Sequence, residues 1–240
     1  MRSTLVLTWK EIRQIFLSPI AYAFLVVFVV FVTGMFFRSF FLIGQVNMSS
    51  FFDWYPWAFM FLIPGMTMRM WAEERRQGTI EFLLTAPVET WNIVIAKFLS
   101  GVVLIALCGA LTLLVPYTVS QFGDLDPGPV LGSYIGTLFL GGACIAIGMF
   151  FSSFSEDQVV AFLVSAIVLL VLIMSGMSFI QSLFAAGSWF GSLLRIVSPT
   201  THFESIGRGV VDLRDVYYFA AIGALFLYLN VRVIDLRRWK

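Results

Sequence analysis

Six charges of a charge-poor chain fall in WAEERRQGTIEFLLTAPVETW, residues 71–91: Glu73, Glu74, Arg75, Arg76, Glu81 and Glu89, with long apolar runs on either side. Catalysis within a membrane would need ionisable groups gathered inside the bilayer, and the apolar runs are nearly free of them. No G-x-x-x-x-G-K-[ST] loop is present to cradle a nucleotide's phosphates, so any dependence on ATP must come through a partner. His202 is the single histidine, which argues against a three- or four-ligand zinc site within one chain. Met66, Met68 and Met70, with Met174 and Met177, invite a soft-metal path, but without companion Cys or His they read as gap fillers on helix faces. Catalytic residues, cofactors and metals are therefore expected to be absent, and the chemistry of residues 71–91 is that of ion pairing and docking.

These residues must be positioned by membrane helices. Apolar residues make up 60% of the 240, 26 of them Phe, and only 12% are charged. With a mean hydropathy of +0.93, that composition excludes a soluble domain. It also makes nucleic acid an improbable partner. Cys108 and Cys144 lie in apolar runs and act as small hydrophobes. The N-terminus MRSTLVLTWKEIRQ turns charged before a signal-length apolar core develops, so the first span is expected to be retained.

A bilayer core takes about 20 residues of apolar helix. Six spans are expected, at 20–40, 54–72, 91–119, 130–151, 158–180 and 215–233, in an all-α integral membrane fold forming one membrane domain over 1–240. Ahead of them, Leu5, Trp9, Ile12 and Phe16 recur at helical spacing while Lys10, Glu11, Arg13 and Gln14 fill the other face, which predicts an interfacial elbow helix over 1–18. Ser18 offers an N-cap and Pro19 a first helical position for span one. Between spans five and six, residues 181–214 carry Trp189, Leu193, Ile196 and Val197 on one apolar face, which predicts an external helical element.

The loop at 73–90 has its own local logic. WAEERRQ continues span two as helix, Glu73 facing Arg76 and Gln77, and Gly78 suits the left-handed residue that ends it. Thr79 caps a second, short helix, which Pro87 stops. Ile80, Leu83 and Leu84 share one face of that stub, and Thr90 is placed to cap span three. A helix this short needs a partner surface, either a docked protein or its own neighbours. Lys97, close to the end of span three, is expected to snorkel toward water. Eleven Lys and Arg, including Arg2, Lys10, Arg75 and Lys97, fall on the side of the N-terminus, against Arg38, Arg195, Arg208 and Arg214 on the other. That bias puts both termini in the cytoplasm.

EERRQGTIEFLLTAPV, residues 73–88, resembles the E-x-x-x-G-T-x-E-x-L-L-x-x-P-[VI] signature in the loop between the second and third spans of ATP-binding-cassette permeases of the second exporter class, the ABC-2 type. Six spans, an elbow helix and an external element match the same class over essentially the whole chain. SPTTHFESIGRGVVDLRDVYYF, residues 198–219, is similar to the external segment of the gliding-motility-associated subgroup, whose members also occur in bacteria that do not glide. The resemblance implies that Gly78, Thr79, Ile80, Glu81, Leu83, Leu84 and Pro87 form a coupling helix seated on a separate ATPase subunit. Lys10, Glu11, Arg13, Glu73, Glu74, Arg75 and Arg76 would support it against the elbow, and His202, Phe203, Glu204 and Arg208 would gate the outer side. For Glu204 and Arg208, at i and i+4, an ordinary helix ion pair is the favoured alternative. Family partners would be an ABC ATPase, a second permease chain (a homodimer or a similar subunit), the lipid bilayer and room for an accessory membrane protein. The location implied is the bacterial inner membrane, and the activity is export, extrusion or mechanical transmission driven by that ATPase.

Two other classes fit the composition. One is a membrane anchor or scaffold that docks a cytoplasmic protein and moves nothing. The other is a secondary transporter, disfavoured by the lack of intramembrane ionisable residues and broken half-helices. The topology is tested directly: a Cys in place of Asp126 should react with an impermeant thiol reagent from outside, and one in place of Gln77 only after permeabilisation. The reverse pattern would overturn the span map.

Overall fold

The computed structural model describes residues 2–43, 48–78, 88–182, 189–210 and 212–238, and every regular element among them is helical. In chain order these are α1 (Arg2–Leu17), α2 (Pro19–Ile43), α3 (Ser49–Phe52), α4 (Trp54–Arg76), α5 (Thr90–Thr112), α6 (Leu114–Ser120) and α7 (Pro127–Phe154). They continue with α8 (Gln158–Met174), α9 (Ser178–Ser182), α10 (Trp189–Val197), α11 (Pro199–Ile206) and α12 (Leu213–Arg238). Among the described residues, four stretches are long and apolar enough to cross a membrane: Pro19–Phe41, Thr90–Ser120, Pro127–Phe154 and Leu213–Leu236. The chain is accordingly a multi-pass membrane protein. α4, at 23 residues, has the length but ends in charge, and α8 is apolar but only 17 residues long.

Local chemistry explains most boundaries. α2 starts at Pro19, and the Ser18 Oγ accepts from the Ile20 N–H at 3.4 Å, as the Ser-Pro pair predicts. The Asp126 carboxylate accepts from Gly128 N at 3.0 Å to begin α7, and Asp157 accepts from Val159 N at 2.8 Å to begin α8. The Thr90–Ser120 stretch breaks at Leu113, three residues ahead of Pro116, which has no N–H for the carbonyl four residues back. Two expectations fail. Glu89, not Thr90, occupies the cap position of α5, and the Thr90 hydroxyl instead donates to Asp235 of α12 at 2.6 Å. The helix of the fifth expected span, α8, ends at Met174, well short of residue 180: the Thr200 hydroxyl, from α11, donates to the Ile173 carbonyl at 3.2 Å and so satisfies a helix-terminal acceptor.

α7 is the central column, packing against α4, α5, α8, α11 and α12. Lipid tails are as apolar as Leu, so helix association in a membrane depends on close van der Waals fit. Glycines on α7 supply that fit. A Cβ on Gly148 would lie 2.3 Å from Thr67 Oγ1 of α4, and one on Gly132 would lie 2.6 Å from the Ile206 carbonyl oxygen of α11. On the α2 side the core is aromatic, with Phe28 edge-on to Tyr55 and stacked on Phe59, and Phe36 edge-on to Phe51. The Tyr55 hydroxyl finds Thr112 Oγ1 at 2.9 Å.

Gly132→Ala meets backbone, which cannot rotate away, and should destabilise the fold by about 1–3 kcal/mol. Gly142→Ala meets only the Phe98 ring edge at 3.6 Å and should be neutral. Thermal melting in detergent separates them; equal melting temperatures would mean that α7 and α11 are not in such close register.

Candidate functional site

The charged stretch begins where α4 leaves the apolar core, and its placement follows from three helices meeting there. α1 lays its inner face, Thr4, Thr8 and Glu11, along α5. The Thr4 hydroxyl donates to Asn92 Oδ1 at 3.1 Å, and Thr8 donates back to the Thr4 carbonyl. The apolar stripe of α1 faces the other way, with Leu5 69% and Trp9 70% exposed. Leu7, Ile15 and Phe16 pack inward against the core, so α1 has apolar side chains on both its protein and its outer side, which suits a helix at the rim of a bilayer.

At the centre of this junction is Lys97, from α5. Its Nζ donates to Glu74 Oε1 at 2.6 Å and to Glu11 Oε2 at 3.2 Å, and it lies 5.1 Å from the ring centroid of Trp71. The side chain is only 3% exposed, so Lys97 does not snorkel as the sequence suggests; two carboxylates from α1 and α4 come to it instead. The reason is energetic. A buried ammonium is tolerated only with charge partners close by, and here both partners sit on helices that could otherwise move independently. Burial holds the Glu74 carboxyl above the usual carboxylate range, against the opposing pull of Lys97.

The other side of the α4 end is tied to α7. Ser152 Oγ accepts from Trp71 N at 3.3 Å and Ala72 N at 3.4 Å while donating to the Met68 carbonyl at 3.0 Å. Arg75 donates from Nη1 to the Ser153 carbonyl at 2.9 Å, and its Nη2 lies 3.8 Å from Glu156. Gln77 donates to Glu73 Oε1 at 3.2 Å. The next residue, Gly78, has φ +68°, and its N–H donates to the Arg75 carbonyl at 3.1 Å, which ends the helix as the sequence predicts.

Of the support residues read from the sequence, Glu11, Glu74 and Arg75 are thus engaged with neighbouring elements, and Glu73 bonds within its own helix. Lys10, Arg13 and Arg76 are exposed. Thr79, Ile80, Glu81, Leu83, Leu84 and Pro87 lie outside the described residues. Lys97 was the residue missed; its one signal was its standing as the sole charge in the third apolar run.

The four residues grouped as an external gate have different surroundings. Phe203 is buried on α7, its ring 3.2 Å from where a Cβ of Gly136 would sit. His202 faces Asp215 Oδ1 with Nδ1 at 2.6 Å and the Ile196 carbonyl with Nε2 at 3.1 Å, and stacks on Tyr218 at 3.9 Å between centroids. The Tyr218 hydroxyl donates to the Val197 carbonyl. Glu204 and Arg208 are both exposed, and no ion pair joins them among the described residues. The apolar face of α10 points outward, Trp189 and Ile196 included.

Lys97→Met removes the cation that two buried carboxylates share, and breaking such an arrangement costs about 3–5 kcal/mol. A carboxyl whose folded pKa exceeds its unfolded value favours the fold at low pH, and that contribution is lost as pH rises through the folded value. Without Lys97 this effect grows. The variant should therefore melt well below the wild type at pH 8, with the deficit narrowing toward pH 5; a pH-independent deficit would show that the carboxylates do not depend on Lys97.

Comparison with known families agrees with this architecture. The family described as ABC-2 family transporter protein matches residues 48–232, which covers α3 to α12 apart from the last residues and leaves α1 and α2 outside the match. No curated protein matches the chain. Members of that family are membrane components of ABC transporters, without an ATPase domain of their own, and work with an ABC ATPase. From the apolar helices and this match together, the chain belongs to the ABC-2 transporter family and is a permease subunit of an ABC transporter.

Proposed function

We propose that this permease couples ATP hydrolysis by a separate ABC ATPase to export or extrusion of a substrate, or to mechanical transmission, across the bacterial inner membrane, through six spans with both termini cytoplasmic. α2, α4, α5 with α6, α7, α8 and α12 are the spans of this reading. Between Trp54 and Trp71, α4 carries one charge, Arg69, and its 23 residues rise about 35 Å, enough for a hydrocarbon core of about 30 Å. α8, about 26 Å long, falls short by an amount that local thinning accommodates. Orientation rests on the bias of Lys and Arg toward the side of the N-terminus.

The observation that carries the mechanism is the Lys97 junction. It joins α1, α4 and α5 by side chains at hydrogen-bonding distance, immediately before the segment from Gly78 to Pro87. In this reading Thr79, Ile80, Glu81, Leu83, Leu84 and Pro87 form the coupling helix in a groove of the ATPase. Its displacement then moves three helices as one body. Two permease chains, identical or similar, would pair, with the substrate path along their seam beside α4 and α8. The gliding-motility subgroup rests on the resemblance at 198–219. The outer segment from His202 to Arg208 would cap the path, braced by the His202–Asp215 contact.

Glu81→Lys and Leu84→Asp should each abolish copurification of the ABC ATPase, or its stimulation, while leaving membrane insertion intact. Unchanged recruitment and activity in both would sink the coupling assignment.

A further inference from the structure

Between α1, α2, α4 and α5 lies a cavity of about 690 Å³ with two unlike ends. One end is apolar, lined by Ile20, Ala21, Phe24, Met66 and Leu104. The other carries Lys10, Arg69 and Lys97 together with Glu11, Glu73 and Glu74, three cations against three carboxylates. Lys97, Glu11 and Glu74 are committed to one another. Arg69 forms no ion pair among the described residues, and its Nε is buried without a hydrogen-bond partner. A guanidinium in that position calls for an oxyanion, and its planar donors match phosphate best.

The carboxylates limit what that oxyanion can belong to. A purely anionic ligand would bring its charge toward Glu73 and Glu74 as well as toward Arg69. A zwitterion meets both signs: phosphate on Arg69 and Lys10, ammonium on Glu73. The apolar end, continuous with this wall along α2, is suited to an acyl chain. We infer that this cavity is a binding site for a bilayer phospholipid with a primary-amine zwitterionic headgroup, of the phosphatidylethanolamine type. Such a lipid would seal the gap between the elbow helix and the bundle beside the Lys97 junction. It is a bound component of the fold, distinct from any transported substrate, and does not depend on ATPase coupling.

The test is retention of lipid by the full chain. Wild type, Arg69→Gln and Ile20→Trp are reconstituted in nanodiscs of equal parts phosphatidylethanolamine, phosphatidylglycerol and phosphatidylcholine, extracted into mild detergent and analysed by native mass spectrometry. Melting curves check that each variant is folded. The wild type should retain phosphatidylethanolamine over the other two, and Arg69→Gln should lower that retention about tenfold through loss of a charge-assisted contact. Ile20→Trp keeps every charge and fills the apolar end, so it should lower retention as well. Preferential retention of phosphatidylglycerol, equal retention of all three lipids, or retention unchanged in both folded variants would overturn the inference.

Discussion

A lysine in the interior of a membrane protein sets the terms for everything around it. The ammonium of Lys97 is stable there only because Glu11 and Glu74 reach it, and those carboxylates stand on two other helices. The elbow α1 cannot lift from the bundle, nor α4 shift along α5, without leaving charge uncompensated. Trp71 closes the site with its ring face toward the ammonium. This is a directional constraint, unlike apolar packing, and it lies where the chain turns into the segment proposed to meet the ATPase.

The opposite side of α4 is held by different means. Ser152 exchanges hydrogen bonds with the backbone of Met68, Trp71 and Ala72, and Gly148 lets α7 approach Thr67 without a side chain between them. In a lipid environment such contacts gain nothing from expelling water, so they rely on fit and on satisfied polar groups. α4 is thereby fixed between an ionic junction and a close-packed column. A push on the chain beyond Gly78 would be transmitted along α4 rather than absorbed at its end.

The end of the bundle away from Gly78 is built otherwise. α11 is packed into α7 through Phe203 on Gly136 and caps α8 through Thr200, so it is anchored to the core. His202, Asp215 and Tyr218 join α11 to the start of α12 and to the carbonyls at the end of α10. α10 itself turns Trp189 and Ile196 outward. Rigid elements and outward apolar surface thus sit side by side there.

How much was legible beforehand depended on the range of the physics involved. Apolar runs, the Ser18–Pro19 start and the left-handed Gly78 are local, and they can be read from the chain alone because each rests on residues within one or two turns. It also determined membrane residence, through composition, and the ABC-2 likeness, through residues 73–88. What it could not determine was which partners would meet across helices. Lys97 read as a snorkelling lysine because the sequence does not reveal that Glu11, 86 positions away, would arrive beside it. Thr90 read as a cap because Asp235 is 145 positions away. The fifth span read as too long because its stop is a hydroxyl on another helix. That Phe203 would be buried could not be read either, because the glycine that receives it lies on α7. These features depend on the packed helices, since the free energy of a buried charge or a helix end is set by what chain folding brings to it rather than by its neighbours in sequence.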